Sequence, residues 1–251
     1  MFGLEDKHVV ISGAGGGIGR SLVSAFLAAG AQVTACDRDA SLLEALDGVV
    51  KFVFELTDAE ETARAVATIV SEQGTPDVLV SNAGYTRAET MDAVDQQSWN
   101  QEVDINLTGS FNLIDPTLKA MIANGGGSIV MTSTVNALAH YGNPAYAAAK
   151  AGLVAYMRSI AVENGRDNIR ANCICPGSVR TPAWDHRMEK DPSLLTKVVQ
   201  HYPLGRLTTP ADVANAAVFL ASPLAGAITG VALPVDAGLT AGNLRFIRDV
   251  F

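Results

Sequence analysis

The sequence has little cysteine, little charge and no long apolar run. Cys36, Cys173 and Cys175 are the 3 cysteines in 251 residues, too few and too odd in number for a disulfide framework. Two of them stand too close together for the usual paired zinc ligands, so all three read as reduced, buried small residues and no metal is expected. Weakly polar stretches such as Ala214 to Leu220 fall far short of the ~18 to 20 apolar residues that a membrane helix needs. The last residues carry no lipidation box. The opening Met1-Phe2-Gly3-Leu4 runs straight into Glu5, Asp6 and Lys7; without the basic start and apolar stretch of a signal peptide, this predicts a cytoplasmic protein. Lysine and arginine total 18 against 26 aspartate and glutamate, a net charge of −8. That balance disfavours nucleic acid or an anionic membrane surface as a partner. Repeats and low-complexity tracts are also missing.

What is present is core material. Hydrophobic residues make up 48% and charged residues 18% of a length that one hydrophobic core can still support, so residues 1–251 are expected to form a single domain. Short apolar runs rich in β-branched residues alternate with helix-like segments, the pattern of βαβ units and a parallel sheet buried on both faces. Seven strands are predicted: His8 to Ser12, Gln32 to Cys36, Val49 to Phe54, Val78 to Ser81, Ser128 to Thr132, Arg170 to Ile174 and Val231 to Val235. Asp58 to Glu72, behind a Thr-Asp cap, and Tyr146 to Val162 read as helices. The stretch 181–206, with prolines and scattered charges, interrupts the alternation and is expected to be a substrate flap.

After the first strand comes Ser12-Gly13-Ala14-Gly15-Gly16-Gly17-Ile18-Gly19, then a helical run, Ser21 to Ala29, ended by Gly30. In this strand, turn and helix context, glycines let the backbone approach a pyrophosphate, whose charge suits the free N–H groups at a helix start. The second strand ends in Asp37, where a dinucleotide fold places the acid that bonds the adenosine ribose hydroxyls. That acid favours NAD: a 2′-phosphate about 4 Å away would meet a repulsion of up to ~4 kcal/mol per unit pair at an effective dielectric of ~20. Arg38 keeps NADP open, since it would partner a 2′-phosphate were Asp37 neutralised or moved.

Tyr146 and Lys150 are four residues apart on one helix face, and Ser133 lies just past the carboxyl end of a strand, where open α/β sheets bind ligands. With these motifs, essentially the whole chain resembles the short-chain dehydrogenase/reductase family, in its compact branch. The Gly-rich turn matches the family's Thr-Gly-x-x-x-Gly-x-Gly, and Ser81-Asn82-Ala83-Gly84 matches its Asn-Asn-Ala-Gly. Asn106, in Ile105-Asn106-Leu107-Thr108-Gly109, matches the active-site asparagine; Ser133, Tyr146 and Lys150 match the catalytic serine and Tyr-x-x-x-Lys. Cys175-Pro176-Gly177-Ser178-Val179-Arg180-Thr181 is similar to the segment that closes over the nicotinamide. Ser12, Ser81, Ala149 and Ala237 depart from the family pattern without deleting a reacting group.

The resemblance implies a Rossmann fold, a doubly wound parallel sheet of about seven strands with helices on both faces. It implies cofactor contacts at Gly13, Gly17, Ile18, Gly19, Asp37, Arg38, Glu55, Leu56, Asn82, Ala83, Gly84, Tyr146, Lys150, Pro176, Gly177, Val179 and Thr181. It also implies hydride transfer between a secondary alcohol or ketone and NAD. A free tyrosine with pKa ~10 is only about 0.1% ionised at pH 7, so Tyr146 needs nearby positive charge to act as a base, and Lys150 is the expected source. Ser133 would hold the substrate oxygen, and Asn106 would anchor a water relay to Lys150.

Substrate contacts are expected from Ser133, Val135, Asn136, His140, Asn143, Tyr146, Gly177 and Trp184, with Tyr141, Asp185, His186 and Arg187 nearby. This polar set suits a sugar, sugar acid or polyol, and the stretches around Tyr202 to Arg206 and Leu239 to Asn243 are similar to those of sugar-oxidising members. A dinucleotide-sensing regulator without catalysis predicts a damaged Ser, Tyr or Lys, and epimerase-type relatives look longer; both stay open as alternatives. Family resemblance further implies a homo-oligomer, a tetramer or dimer, paired through the helices that carry Asn106 and Tyr146.

Overall fold

The computed structural model describes residues 2–87, 90–181, 184 and 189–251. One all-parallel sheet organises them, with strand order β3-β2-β1-β4-β5-β6-β7. The strands are β1 (His8–Ser12), β2 (Gln32–Asp37), β3 (Val50–Val53), β4 (Val78–Ser81), β5 (Gly127–Thr132), β6 (Ile169–Pro176) and β7 (Ala232–Val235). β1 and β4 are buried at every residue, as expected of strands covered by helices on both faces. β6 runs beyond the predicted Ile174, because Cys175 and Pro176 pair with Pro234 and Val235 of β7.

Two apolar cores lie on the two faces. One packs Leu22, Val23 and Phe26 of α1 (Gly17–Ala28) and Val213, Ala217 and Leu220 of α8 (Pro210–Ala221) against the sheet. The other packs Val66 and Ile69 of α3 (Ala59–Gln73), Leu113 and Ile114 of α5 (Gly109–Ala123) and Leu153 and Met157 of α6 (Pro144–Glu163). Cys36, Cys173 and Cys175 are free and buried, and burial raises the pKa of each thiol. Shorter helices are α2 (Ala40–Glu44), α4 (Gln96–Val103), α7 (Leu194–Val199) and α9 (Leu244–Val250). Among the described residues, no helix is long and apolar enough to cross a membrane.

Three local features shape the site. α1 starts at Gly17, four residues earlier than the sequence predicts, because the glycines adopt helical backbone there; its N-cap, Gly16, offers no side chain to the first N–H groups. Between α4 and α5 a π-helical turn, Asp104–Thr108, carries Asn106; such turns often mark functional positions. α6 begins at Pro144 behind Asn143, which is left-handed at φ 51°. Proline suits a first helical position because its missing N–H would find no helical partner there.

Candidate active site

A cavity of about 840 Å³ opens at the carboxyl ends of the central strands. The strand order reverses between β1 and β4, the crevice where open α/β sheets take their ligands. Of the predicted cofactor residues, Gly13, Gly17, Ile18, Gly19, Asp37, Arg38, Glu55, Leu56, Asn82, Ala83, Gly84 and Thr181 line it. The turn fits close backbone contact with a ligand. Gly13 has φ 62° and a Cβ there would stand 2.8 Å from Ala83 Cα, while a Cβ on Gly19 would collide with the Gly13 carbonyl. Only glycine leaves this cradle open, and the α1 N-terminus, with no side-chain cap, would offer an anion its N–H groups and a positive dipole end.

At the β2 end of the cavity, the Asp37 carboxylate accepts hydrogen bonds from Gly15 N at 3.0 Å and Arg38 N at 2.8 Å. Arg38 Nη1 lies 3.9 Å from Glu55. Arg20, which sequence reasoning did not place in the site, also lines the cavity, but its guanidinium is tied to the carbonyls of Gly15 and Leu42 at 2.8 and 3.1 Å. Leu42, Phe54 and Tyr85 are further lining residues that the motifs did not mark; they reach the cavity through tertiary packing.

Beside Gly84 two of the catalytic candidates, Asn106 and Lys150, meet. A Cβ on Gly84 would sit 3.0 Å from Asn106 Oδ1 and 3.3 Å from Lys150 Nζ, so both polar groups border one spot on the cavity wall. Asn106 is fully buried. Its amide donates to Tyr85 O at 2.6 Å and Glu102 O at 2.8 Å, and its Oδ1 accepts from Tyr85 N at 3.1 Å. Lys150 is 2% exposed and donates to Thr132 O at 2.9 Å; Ser133 Oγ donates to Lys150 O at 3.1 Å. Lys150 Nζ lies 5.7 Å from the centre of the Tyr146 ring.

Burial governs the titration of this pair. It pushes Lys150 down to about 8 and Tyr146 up to about 12; Glu102 and Cys175 add to the rise on Tyr146, and a hydrogen bond with Thr134 opposes it. The expected lowering of Tyr146 by Lys150 is therefore not present in the protein alone. The ammonium is directed at the Thr132 carbonyl, and desolvation is the largest influence on the phenol.

The remaining predicted residues are spread more widely. Of the predicted cofactor contacts, Tyr146, Lys150, Pro176, Gly177 and Val179 are not among the residues that line the cavity. Gly177 packs against Asp236 and Tyr202, whose hydroxyl accepts from Ser178 N at 3.0 Å, and Val179 bridges to Thr208. Val135 is buried, Asn136 donates its amide to Gly142 O at 2.9 Å, His140 is exposed, and Trp184 N donates to Thr181 O at 2.8 Å. Asp185, His186 and Arg187 lie outside the described residues, as does part of the 181–206 stretch; α7 lies within the described part. A second cavity, about 630 Å³, is lined by Tyr141, His201, Thr240, Asn243 and Arg245 among others. It joins the loop after Ser133 to the C-terminal stretch. Among the described residues, no group of three or more His, Cys, Asp or Glu could hold a metal ion.

A family model described as enoyl-(acyl carrier protein) reductase matches residues 13–240. An uncharacterized oxidoreductase of Schizosaccharomyces pombe is 37% identical over 250 residues, which cover 99% of this chain and 96% of that one. The chain belongs to the short-chain dehydrogenase/reductase family. It is thus an oxidoreductase of alcohols or ketones that works with NAD or NADP. The dehydrogenase is 35% identical to a 3-oxoacyl-[acyl-carrier-protein] reductase of Thermotoga maritima (94% of this chain, 98% of that one). To L-fucose dehydrogenase of Mus musculus it is 34% identical (95% and 90%). A solved oxidoreductase of the same family from Burkholderia thailandensis superposes with a TM-score of 0.91 at 45% identity (98% and 97%). The ligand-free aldohexose dehydrogenase of Thermoplasma acidophilum superposes at 0.89 with 27% identity (96% and 97%).

Proposed function

We propose that this dehydrogenase oxidises a secondary alcohol of a sugar, sugar acid or polyol with NAD, reversibly, using Ser133, Tyr146, Lys150 and Asn106. The observation that carries this reading is the convergence of Lys150 Nζ and Asn106 Oδ1 on the Gly84 wall of the cavity, with Tyr146 one helical turn from Lys150. The nicotinamide, when bound, supplies an acceptor for the carbinol hydrogen and its electron pair. Tyr146 removes the hydroxyl proton, and Ser133 turns its hydroxyl from Lys150 O to the substrate oxygen, fixing its position. Lys150, a partly desolvated cation one turn away, stabilises the phenolate, while Asn106 holds the Tyr85 backbone and leads protons to Lys150 through water.

NAD is favoured over NADP by the two carboxylates, Asp37 and Glu55, on the adenosine side, and by the engagement of Arg38 and Arg20 with groups of the protein. A polyhydroxylated substrate is favoured by the polar residues Asn136, His140 and Asn143 in the loop between Ser133 and Tyr146 in the sequence, and by the second cavity with His201, Asn243 and Arg245. Its similarity to L-fucose dehydrogenase and aldohexose dehydrogenase supports this choice. The stretch 181–206 is the proposed flap over the substrate.

The test is Tyr146→Phe. We expect turnover to fall by about 10³-fold or more while NADH binding, followed by fluorescence, stays within about two-fold of wild type. Turnover like wild type in that variant would remove Tyr146 from the mechanism.

A further inference from the structure

Arg20 is a cation on the wall of the dinucleotide cavity that the proposed chemistry does not use. It stands in the first turn of α1, and its guanidinium reaches main chain on two other segments. Nε donates to Gly15 O in the Gly-rich turn at 2.8 Å, and Nη2 donates to Leu42 O on α2 at 3.1 Å. With Gly13, Gly15, Gly16 and Gly17, the turn has few side chains of its own to fix it, and glycine gives up more conformational freedom on ordering than any other residue. Its N–H groups are tied to β2: Ala14 N donates to Cys36 O at 3.1 Å and Gly15 N to the Asp37 carboxylate at 3.0 Å. On the carbonyl side Gly15 is held by Arg20. The turn and α2 also fit closely here, because a Cβ on Gly15 would collide with Leu42 Cβ and stand 2.8 Å from Leu42 O. Gly15, Asp37 and Leu42 all line the cavity.

We infer that Arg20 is a positioning residue for the dinucleotide: its guanidinium staples the Gly-rich turn to α2 and so holds the β2 end of the cavity in shape before a ligand arrives. The inference rests on the reading of this cavity as the dinucleotide site, and not on the role of Tyr146. A planar guanidinium spans two carbonyls in one fixed geometry, which an ammonium on a flexible stem does not reproduce. Each bond joins a charged donor to a neutral acceptor and is stronger than a neutral pair. A turn ordered ahead of binding lowers the entropy loss that the ligand contacts must otherwise offset. With its donors on carbonyls, Arg20 acts on the ligand through the turn rather than as a direct phosphate partner.

The test reads the affinity of the purified protein for ADP-ribose, which carries adenosine and pyrophosphate but no nicotinamide, by calorimetry. Arg20→Met removes both bonds and the charge, and affinity should fall by about ten-fold. Arg20→Gln places a neutral amide N–H where Arg20 Nε lies and keeps a donor for Gly15 O, so affinity should return to within about three-fold of wild type. A guanidinium acting only by its charge would leave Arg20→Gln as weak as Arg20→Met, and that result overturns the inference. An arginine that only braces the fold would lower the melting temperature of Arg20→Met and leave its ADP-ribose affinity at the wild-type value, which overturns the inference as well. Should Arg20→Met not fold, Arg20→Lys takes its place: the charge stays and the two-carbonyl staple goes, so affinity should drop by about five-fold, and wild-type affinity there has the same force. Wild-type protein that binds no ADP-ribose contradicts the dinucleotide reading itself, whereas a wild type that binds, beside an Arg20→Met that binds equally well, contradicts the staple alone.

Discussion

Lys150 is the residue on which the chemistry and the stability of the protein conflict. A lysine 2% exposed, with one carbonyl partner, is held below its free value of 10.5, at about 8. Between those two values the unfolded chain binds more protons than the folded one, so stability rises with pH. The contribution of Lys150 is complete above about pH 10.5 and is lost as pH falls through about 8. Tyr146 has the opposite sign: its raised value gives stability below about pH 10 that is lost as pH climbs through about 12. Against Lys150→Met, the melting temperature of the dinucleotide-free wild type should therefore improve as pH goes from about 8 to about 10.5. A difference that is flat with pH would show that Lys150 carries no such penalty. Other residue-scale facts were written in the sequence only as types. Asp37 was legible as an acid at a strand end. That its carboxylate is held by Gly15 N, and that Arg38 leans on Glu55, depends on β1, β2 and β3 lying side by side.

Elements with a strong local signal were read closely. β1 and β4 have their predicted bounds, because short β-branched runs between turn residues admit little else. The start of α1 was misplaced because glycine is a poor helix former, and here close packing on Ala83 and on the turn itself overrides propensity. The same packing makes a prediction. Gly19→Ala forces a methyl into the Gly13 carbonyl, which should cost about 1–3 kcal/mol of stability and weaken NADH binding at least about ten-fold; an alanine variant that binds like wild type would dissociate the turn from the cofactor. The π-helical turn at Asp104–Thr108 and the hydrogen bond that Arg87 N donates to Glu102 left no sequence signal, since both depend on how α4 meets the segment after β4.

For the whole molecule, the family motifs carried the architecture: seven parallel strands with a cavity where their order reverses. The second cavity was not legible, because it joins Tyr141 and His201 to residues some forty positions or more further on. Assembly is a separate matter. Phe111, Trp99 and Val162, on helices α5, α4 and α6, are exposed large apolar groups, and such surface is a liability in a lone subunit. We expect light scattering to return a dimer or tetramer, and a monomer at working concentration would contradict pairing through these helices. Nicotinamide reduction by the purified protein, with NAD and NADP in parallel, across sugars, sugar acids, polyols and simple secondary alcohols, is the measurement that decides the proposed activity. Turnover with polyhydroxylated compounds and a clear preference for NAD are expected, whereas turnover confined to apolar alcohols, or a preference for NADP, would contradict the proposed activity.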